Sequence, residues 1–208
     1  MTRLGAPTTT SAALEAGQAA LACVVRELGA AADRFADVAP ALDCMLATTG
    51  RVVVTGLGKS GLVGTKLAAT LASTGTPAFF VHAADALHGD AGMVTQGDLL
   101  LAISKSGTTA EVLHFAEVVR RRGVPIVAMT GCGGSAPLCA LADARIDIGV
   151  GTEADPFDLV PTASTSVTAA LGDALAVALM VARGFGPADF HRHHPGGALG
   201  ARLEEETS

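Results

Sequence analysis

The fold is decided by residues 51–61, RVVVTGLGKSG, where a β-branched run ends in a glycine-rich loop. Valine and threonine in an unbroken run of this kind are typical of a strand that is buried on both faces. The glycines let backbone N–H groups approach a ligand, and Ser60 opens a helix whose positive dipole end points at the loop. The spacing matches neither a Walker A loop nor G-x-G-x-x-G, so it gives nucleotide binding little support.

The alternation of strand and helix continues outward from this stretch. Further strands are predicted at 78–81, 98–104, 125–130 and 144–150, and helices at 11–28, 40–47, 60–73, 108–122, 135–142 and 165–183, the first of them capped by Ser11. This rhythm predicts an α/β fold, a flavodoxin-like doubly wound five-stranded parallel sheet flanked by helices. Residues 1–10 are expected to form a flexible tail, and 11–208 a single domain with N-terminal helices.

Composition limits the classes of function. The 208 residues carry 14 Lys and Arg against 20 Asp and Glu, a net charge of −6, and 50% of them are hydrophobic. A chain this apolar forms a packed core, which excludes intrinsic disorder. The acidic balance and an aromatic content of 3% argue against a nucleic-acid or anionic-membrane surface.

Nothing in the sequence predicts export or membrane insertion. The richest apolar segment, 167–181, is short for a membrane span and contains Asp173. The first residues lack the apolar core of a secretory signal. The four cysteines, at positions 23, 44, 132 and 139, form no C-x-x-C motif and are expected to be reduced, buried thiols of a cytoplasmic protein.

Polar side chains follow the predicted strands at the edge where such sheets bind ligands. The SKSGTT loop, residues 104–109, places four hydroxyls, a lysine and a glycine directly before a helix. Hydroxyl donors at a helix N-terminus suit a phosphate monoester, whereas a helix cap needs only one of them. Lys59, one of three lysines, lies in the first loop and is expected to be functional. The predicted phosphate-binding residues are Gly58, Ser60, Ser104, Ser106, Thr108, Thr109, Thr162, Ser164 and Thr165.

Two carboxylates are candidates for acid–base chemistry. Glu111 lies three residues after Thr108, a spacing that equally fits a capping box. Glu153 follows the last predicted strand and precedes residues 161–165, PTAST, a second hydroxyl-rich loop ahead of a long helix. A carboxylate at the carboxyl end of a strand, beside a phosphate site, is a candidate general base.

The histidines predict no metal site. His88 lies in HGD and His194 in HPGG, and a cluster spans 191–194. Adjacent histidines rarely converge on one ion, and no cysteine or carboxylate near them has ligand spacing. His191, His193 and His114 are therefore expected to be solvated.

These loops resemble the sugar isomerase (SIS) domain, and D-arabinose 5-phosphate isomerases in particular, in the form without CBS modules. The resemblance extends over residues 12–203. It is based on GLGKSG, ISKSGTTAEV, LVPTASTSVTAALGDALAVAL and DFHRHHPGGALG. By this resemblance the active-site residues are Lys59, Glu111, Glu153 and His194, with His88 as a further candidate. Many members have Asn where this chain has Lys105.

The resemblance implies an aldose–ketose isomerase that interconverts D-ribulose 5-phosphate and D-arabinose 5-phosphate through an enediolate, with no cofactor or metal. This reaction feeds 3-deoxy-D-manno-octulosonate and hence lipopolysaccharide biosynthesis. It needs a base, a group that polarises the carbonyl and, for cyclic forms, ring opening. Glu153 is the first choice for the base and Glu111 the second. Lys59 is expected to polarise the carbonyl, and His194 or His88 to open the ring.

Two alternatives stay open at this point. One is another SIS isomerase, acting on 3-hexulose 6-phosphate or heptose 7-phosphate. The other is a non-catalytic sugar-phosphate sensor, which in a transcription regulator accompanies a DNA-binding module; residues 1–50 show no basic helix-turn-helix. The implied partners are a small sugar phosphate and, as in the family, further copies of the chain in a homotetramer, with no nucleic acid or membrane.

Overall fold

One parallel sheet is built from five strands: β1 (Val52–Gly56), β2 (Ala78–His82), β3 (Leu99–Ile103), β4 (Ile126–Thr130) and β5 (Ala144–Asp147). The computed structural model describes residues 9–193. Its helices are α1 (Thr10–Asp33), α2 (Ala39–Ala47), α3 (Gly58–Ser73), α4 (Ala83–Ala86), α5 (Ala110–Arg121), α6 (Pro137–Leu141), α7 (Ala163–Ala182) and α8 (Pro187–His193).

The strands are ordered β2-β1-β3-β4-β5, and every pair is parallel. This is the flavodoxin-like order, so the predicted fold class is confirmed. Val53 stands beside Phe79 on one side and Leu100 on the other. The chain leaves β1 toward β2 and then returns to β3 on the opposite side. The resulting switch point, between β1 and β3, is where doubly wound sheets bind ligands.

Alternate side chains of the strands build two separate cores. On one face, Val54, Leu101 and Met129 pack with residues of α1, α2, α3 and α7. On the other face, Val53 and Leu100 pack with residues of α4, α5 and α6. Helices on both faces explain why β1, β3 and β4 are continuous apolar runs, since every residue of these strands is buried.

The first helix begins earlier than its sequence pattern predicts. Thr9, not Ser11, is the N-cap, because its Oγ1 accepts a hydrogen bond from the backbone N–H of Ala12 at 3.3 Å. Ser11 instead donates to Glu15 at 3.2 Å. Residues 9 and 10 therefore belong to the helical domain and not to the tail.

The last strand is shorter than predicted, and the residue that follows α1 holds the chain after the strand's end. Gly149 adopts a φ of +50°, which turns the chain out of the extended conformation after Asp147. Nη2 of Arg34, the residue after α1, donates to the carbonyl oxygens of Ile148 and Gly149 at 2.8 and 2.9 Å. Elements of a few residues were not predicted at all, among them α4, α8 and the 3₁₀ turns Phe35–Val38 and Asp90–Met93.

Helix α7 is a core helix of the domain. It is the one helix among the described residues that is long and apolar enough to cross a membrane by length and composition. The predicted segment, 167–181, was too short for this because the helix extends beyond it at both ends. It packs on α1 and α3, and Val167, Leu175 and Leu179 are buried in the core. A Cβ on Gly172 would lie 2.8 Å from Cδ1 of Leu67, so only glycine permits this close approach of α3. The contact holds the middle of α3 against the middle of α7.

The cysteines are free, as expected, but each is half-buried rather than buried. Cys23 lies on α1, where its sulfur is 3.8 Å from Oγ1 of Thr152. Cys44 lies on α2, and burial raises the pKa of its thiol. Cys132 and Cys139 lie side by side after β4, with their sulfurs 4.0 Å apart.

Asp98 fixes the starts of β1 and β3 at the sheet edge opposite the candidate loops. Its side chain is 1% exposed. Oδ1 accepts from the backbone N–H of Arg51 at 2.8 Å, and Oδ2 accepts from the backbone N–H of Thr95 at 2.8 Å and from Nη2 of Arg51 at 3.1 Å. Burial raises the pKa of Asp98, but these donors outweigh it, so the net pKa is lowered.

The Asp98→Asn substitution should lower the free energy of unfolding by roughly 2–4 kcal/mol, because the amide keeps the shape but loses the charge that pairs with Arg51. Urea denaturation measures this loss. Since the folded pKa is lowered, the carboxylate stabilises the protein above about pH 4, and this stabilisation disappears as the pH falls further. As the pH falls below about 4, the free energy of unfolding should therefore decrease less in the variant than in the parent. Asp43→Asn, on the exposed face of α2, is the matched control; equal losses in the two variants would contradict the role of Asp98.

Candidate active site

A cleft of about 200 Å³ opens past the carboxyl ends of β1 and β3, between the first turns of α3 and α7. Its walls are Leu57, Lys59, Ser60, Val63, Lys105, Pro161, Ser164, Thr165 and Thr168. Four predicted site residues lie there together: Lys59, Ser60, Ser164 and Thr165. The cleft coincides with the switch point of the sheet, where the strand order predicts a ligand.

The first turn of α3 presents backbone donors to this cleft. Leu57 is the N-cap residue, and no side chain in the described part of the chain caps the helix. A Cβ on Gly56 would lie 3.0 Å from the carbonyl carbon of Ser60, so the turn closes only with glycine there. Gly58 has a φ of +57°. The result is a helix N-terminus whose N–H groups and dipole favour an anion.

Hydroxyl–hydroxyl hydrogen bonds shape the SKSGTT loop. Oγ of Ser104 and Oγ1 of Thr109 are 2.9 Å apart, and Ser104 also accepts from the backbone N–H of Gly107 at 3.1 Å. Oγ of Ser106 accepts from the hydroxyl of Thr108 at 2.9 Å. Of this loop, only Lys105 is a wall of the cleft; Ser104, Ser106, Thr108 and Thr109 are not. These four hydroxyls hold the loop in shape.

The capping-box alternative for Glu111 is wrong. Helix α5 starts at Ala110 and has Thr109 as its N-cap residue, so Thr108 does not occupy the cap position. Thr109 makes no cap hydrogen bond, since its hydroxyl is paired with Ser104. Within the described residues, the carboxylate of Glu111 has no hydrogen bond or ion pair. It is half-buried on the first turn of α5 and is not a wall of the cleft.

Glu153 is a buried carboxylate at the base of α7, 5% exposed. One oxygen, Oε1, accepts from Nζ of Lys105 at 2.6 Å and from the hydroxyl of Ser164. The other, Oε2, accepts from the backbone N–H groups of Thr162 and Ser164 at 2.9 and 3.0 Å. Burial raises the pKa of Glu153, but these donors outweigh it and lower the pKa to about 2. A carboxylate so fully hydrogen-bonded is a strong structural anchor and a weak proton acceptor.

Thr162 is turned toward Glu153 and not toward the cleft. Its hydroxyl accepts from the backbone N–H of Ala154 at 2.8 Å and donates to the carbonyl oxygen of Val160 at 3.0 Å. Because the backbone N–H groups of Thr162 and Ser164 point at Glu153, the start of α7 already has an anion of its own. Ser164, Thr165 and Thr168 of α7 also line the cleft, but their hydroxyls already donate within the fold. The hydroxyl of Ser164 donates to Glu153, that of Thr165 to the carbonyl oxygen of Thr162 at 3.0 Å, and that of Thr168 to the carbonyl oxygen of Ser164 at 2.7 Å.

Lys105 is the site residue that the sequence prediction missed. Its ammonium pairs with Glu153, and the residue lines the same cleft as Lys59. Within residues 9–193, Lys59 makes no ion pair or hydrogen bond. Two of three lysines in the chain thus meet at one cleft. The scarcity of lysine is the signal that the sequence offers for both residues, although the prediction used it for Lys59 alone.

The histidine predictions have different outcomes. His88 is exposed beside α4, where its backbone N–H donates to the carbonyl oxygen of Asp85 at 2.9 Å, and it is not a wall of the cleft. His194 lies outside the described residues. His193 packs edge-on against Phe185, with ring centroids 5.2 Å apart. Across residues 9–193 no three His, Cys, Asp or Glu side chains are grouped so that they would hold a metal ion.

A family profile, SIS domain, matches residues 45–178. Two curated proteins named arabinose 5-phosphate isomerase are similar to the chain. KdsD of Pseudomonas aeruginosa is 55% identical over 167 residues, which are 80% of this chain and 51% of that protein. GutQ of Escherichia coli K12 is 49% identical over 193 residues, 92% of this chain and 60% of that protein. The chain thus spans between about half and three-fifths of the length of these relatives.

Two solved structures are similar to this chain over their whole length. The structure of c3406 from E. coli CFT073 in complex with arabinose 5-phosphate has a TM-score of 0.86 and 35% identity, and the match covers 90% of this chain and 100% of that one. A second structure, described as a putative sugar-phosphate isomerase from Listeria monocytogenes, has the same TM-score, 0.86, at 27% identity, with 91% and 100% covered.

Proposed function

The chain belongs to the SIS domain family, and from this premise we propose that it is an aldose–ketose isomerase that interconverts D-ribulose 5-phosphate and D-arabinose 5-phosphate. The observation that most favours the proposal is the 35% identity to a structure in complex with arabinose 5-phosphate, whose full length the chain covers. The curated relatives named arabinose 5-phosphate isomerase support the same substrate. By the same reasoning we propose a cytoplasmic enzyme that feeds lipopolysaccharide biosynthesis.

The cleft suits a sugar phosphate because it combines two cations with the hydroxyl of Ser60 and an uncapped helix N-terminus. Lys59 and Lys105 both line it, and Ser60 adds a hydroxyl that has no hydrogen bond within the described residues. The first turn of α3, which has no side-chain cap, supplies backbone N–H groups. A phosphate held there becomes the remote anchor that positions the reacting carbons. The neighbouring first turn of α5 also has no side-chain cap, so the SKSGTT loop is the second place for phosphate oxygens.

The chemistry moves a proton between C1 and C2 of the open-chain sugar. Lys59, whose ammonium is unpaired within the described residues, polarises the carbonyl oxygen and stabilises the enediolate. Glu111 removes the C–H proton, because its carboxylate is free of the hydrogen bonds that hold Glu153. Glu153 keeps Lys105 and α7 in place. His88 or His194 opens the ring, as the family resemblance implies.

A panel of sugar phosphates tests the proposed substrate. The purified protein should interconvert D-arabinose 5-phosphate and D-ribulose 5-phosphate, and should be far slower with 3-hexulose 6-phosphate or a heptose 7-phosphate.

Lys59→Met should lower kcat/KM by roughly 10²–10³-fold, since it removes the charge that stabilises the enediolate. Lys66→Met is the matched control, because Lys66 lies on the same helix but pairs with Asp173 outside the cleft. Turnover of another sugar phosphate alone, or binding without turnover, would refute the proposal.

Exchange of the substrate C–H proton with deuterated water distinguishes the two carboxylates. Glu111→Gln should lose exchange and lower kcat by roughly 10²–10⁴-fold, because the amide cannot accept the proton. Glu153→Gln should keep exchange but raise KM and lower Tm, because the start of α7 and Lys105 lose their anchor. The opposite ranking of exchange would return the base to Glu153.

With a folded pKa of about 2, the Glu153 carboxylate stabilises the fold above about pH 4.3, and this stabilisation disappears as the pH falls toward 2.

We further propose that the chain assembles as a homotetramer through α1 and α7. Leu21 and Val25 on α1 are 69% and 68% exposed, and Val181 on α7 is 69% exposed. An apolar groove between the same helices is lined by Leu28, Ala31, Ala32, Phe35, Ala170, Leu171 and Ala174. Exposed apolar surface of this extent is typical of subunit interfaces.

Light scattering at micromolar concentration should give four times the mass of the chain. Leu21→Glu should reduce this mass, since it places a charge in the proposed interface. Asp33→Lys, at the exposed end of the same helix, changes charge without touching the apolar positions and should leave the mass unchanged. A monomeric parent protein would contradict the assembly.

A further inference from the structure

Two thiols lie directly behind the SKSGTT loop. Sγ of Cys132 and Sγ of Cys139 are 4.0 Å apart, and both are within reach of one hydroxyl, since Oγ1 of Thr130 is 3.2 Å from the first and 3.6 Å from the second. Both cysteines are half-buried, so a small oxidant can reach them. A disulfide has a sulfur–sulfur distance of about 2.05 Å, so joining them requires an approach of about 2 Å.

The environment of Cys132 favours its thiolate, the form that reacts. Burial raises the pKa of this thiol, but its hydrogen bonds with the hydroxyl of Thr130 and with the backbone N–H groups of Gly134 and Ala136 outweigh burial, and the net pKa is lowered. Cys139, in the middle of the short helix α6, is the neighbouring thiol that can resolve an oxidised Cys132. Gly133 and Gly134 have φ values of +63° and +94°, and the segment between the two cysteines can therefore change conformation without a Cβ penalty.

The cysteine segment supports the SKSGTT loop from below. The backbone N–H of Gly131 donates to the carbonyl oxygen of Lys105 at 2.9 Å, and that of Leu138 donates to the carbonyl oxygen of Gly107 at 3.2 Å. Gly107 has a φ of +64°, and a Cβ on it would lie 3.2 Å from Sγ of Cys132. A displacement of the Cys132 sulfur by about 2 Å therefore changes the packing under Gly107 and the backbone that positions Lys105.

We propose that Cys132 and Cys139 form a reversible redox site that a peroxide converts to a disulfide, and that this disulfide weakens binding at the SKSGTT loop. The second half of the proposal rests on the proposed function; the first half does not. Nothing in the isomerase chemistry uses either thiol. The other two cysteines, Cys23 on α1 and Cys44 on α2, lie on separate helices away from this pair.

Hydrogen peroxide is the oxidant in this step. The Cys132 thiolate attacks one oxygen of the peroxide, the O–O bond breaks, and hydroxide leaves, which gives a sulfenic acid on Cys132. The sulfur of Cys139 then attacks the Cys132 sulfur; its proton goes to the leaving oxygen, and water departs as the S–S bond forms. In total two thiols and one peroxide give one disulfide and two waters, and two electrons pass from sulfur to peroxide. An added dithiol reverses the step by thiol–disulfide exchange.

Peptide mapping tests the redox site on the full chain. Trypsin releases both cysteines in one peptide, 123–145, because no Lys or Arg lies between Arg122 and Arg145. After hydrogen peroxide and alkylation, this peptide should be two hydrogens lighter and unalkylated, and dithiothreitol should restore alkylation at both positions. Cys139→Ala should instead accumulate a sulfenic acid on Cys132 that dimedone traps. Oxidation confined to Cys23 or Cys44, or no intrapeptide disulfide, would overturn the proposal.

Substrate kinetics and phosphate binding test the effect on the loop. Oxidation should raise KM for D-arabinose 5-phosphate roughly tenfold or more, and dithiothreitol should reverse the change. Cys139→Ala should keep the KM of the reduced parent and lose the formation of the disulfide, whereas Cys44→Ala should respond like the parent. Calorimetry with inorganic phosphate gives the same comparison without turnover. If the reduced protein does not isomerise the sugar, the proposed function fails while the mapping still decides the redox site; a disulfide that leaves phosphate binding unchanged overturns the regulatory half.

Discussion

The buried charge of Glu153 joins three parts of the chain into one site. Its carboxylate accepts from Lys105 of the SKSGTT loop and from the backbone of Thr162 and Ser164 at the start of α7. A carboxylate removed from water is costly unless every oxygen has donors, so these partners cannot separate without exposing an uncompensated charge. The cleft exists because this requirement brings the loop after β3 and the loop before α7 together.

The same constraint places the second cation of the cleft. The side chain of Lys105 is 46% accessible, while the side chain of Glu153 that it pairs with is only 2% accessible. The ammonium is therefore tethered on its buried side and open on the other. A tethered cation loses little side-chain entropy when an anion arrives, which favours binding by a protein whose net charge is negative.

Most of the fold could be predicted from the sequence. The apolar runs of β1, β3 and β4 are buried on both faces, and the alternation of strands with helices leads to the observed strand order. The sequence predictions were wrong where an element boundary depends on a few local contacts. Thr9 replaces Ser11 as the cap of α1 because either residue type satisfies the pattern, and only the actual hydrogen bond to Ala12 decides between them.

The candidate site was less predictable because its contacts join residues far apart in sequence. The positions of Lys59, Ser60, Ser164 and Thr165 were anticipated, since each follows a strand or opens a helix at the ligand-binding edge. The partnership of Lys105 with Glu153, 48 residues away, has no periodic signal. The sequence also suggested a capping role for Thr108, because its spacing from Glu111 fits a capping box. Its neighbour Thr109 occupies the cap position, yet pairs with Ser104 in an arrangement that only three-dimensional packing reveals.

Helices α3 and α5 begin without a side-chain cap in the described part of the chain, whereas the start of α7 has Glu153. An anion at these two helix ends would complete hydrogen bonding that the folded chain leaves open. Ligand affinity and the stability of the fold are then thermodynamically linked, because a ligand that binds only the native state shifts unfolding by mass action. A bound anion would thus complete the hydrogen bonding of these two helices, and it would protect the native state against unfolding in proportion to its concentration.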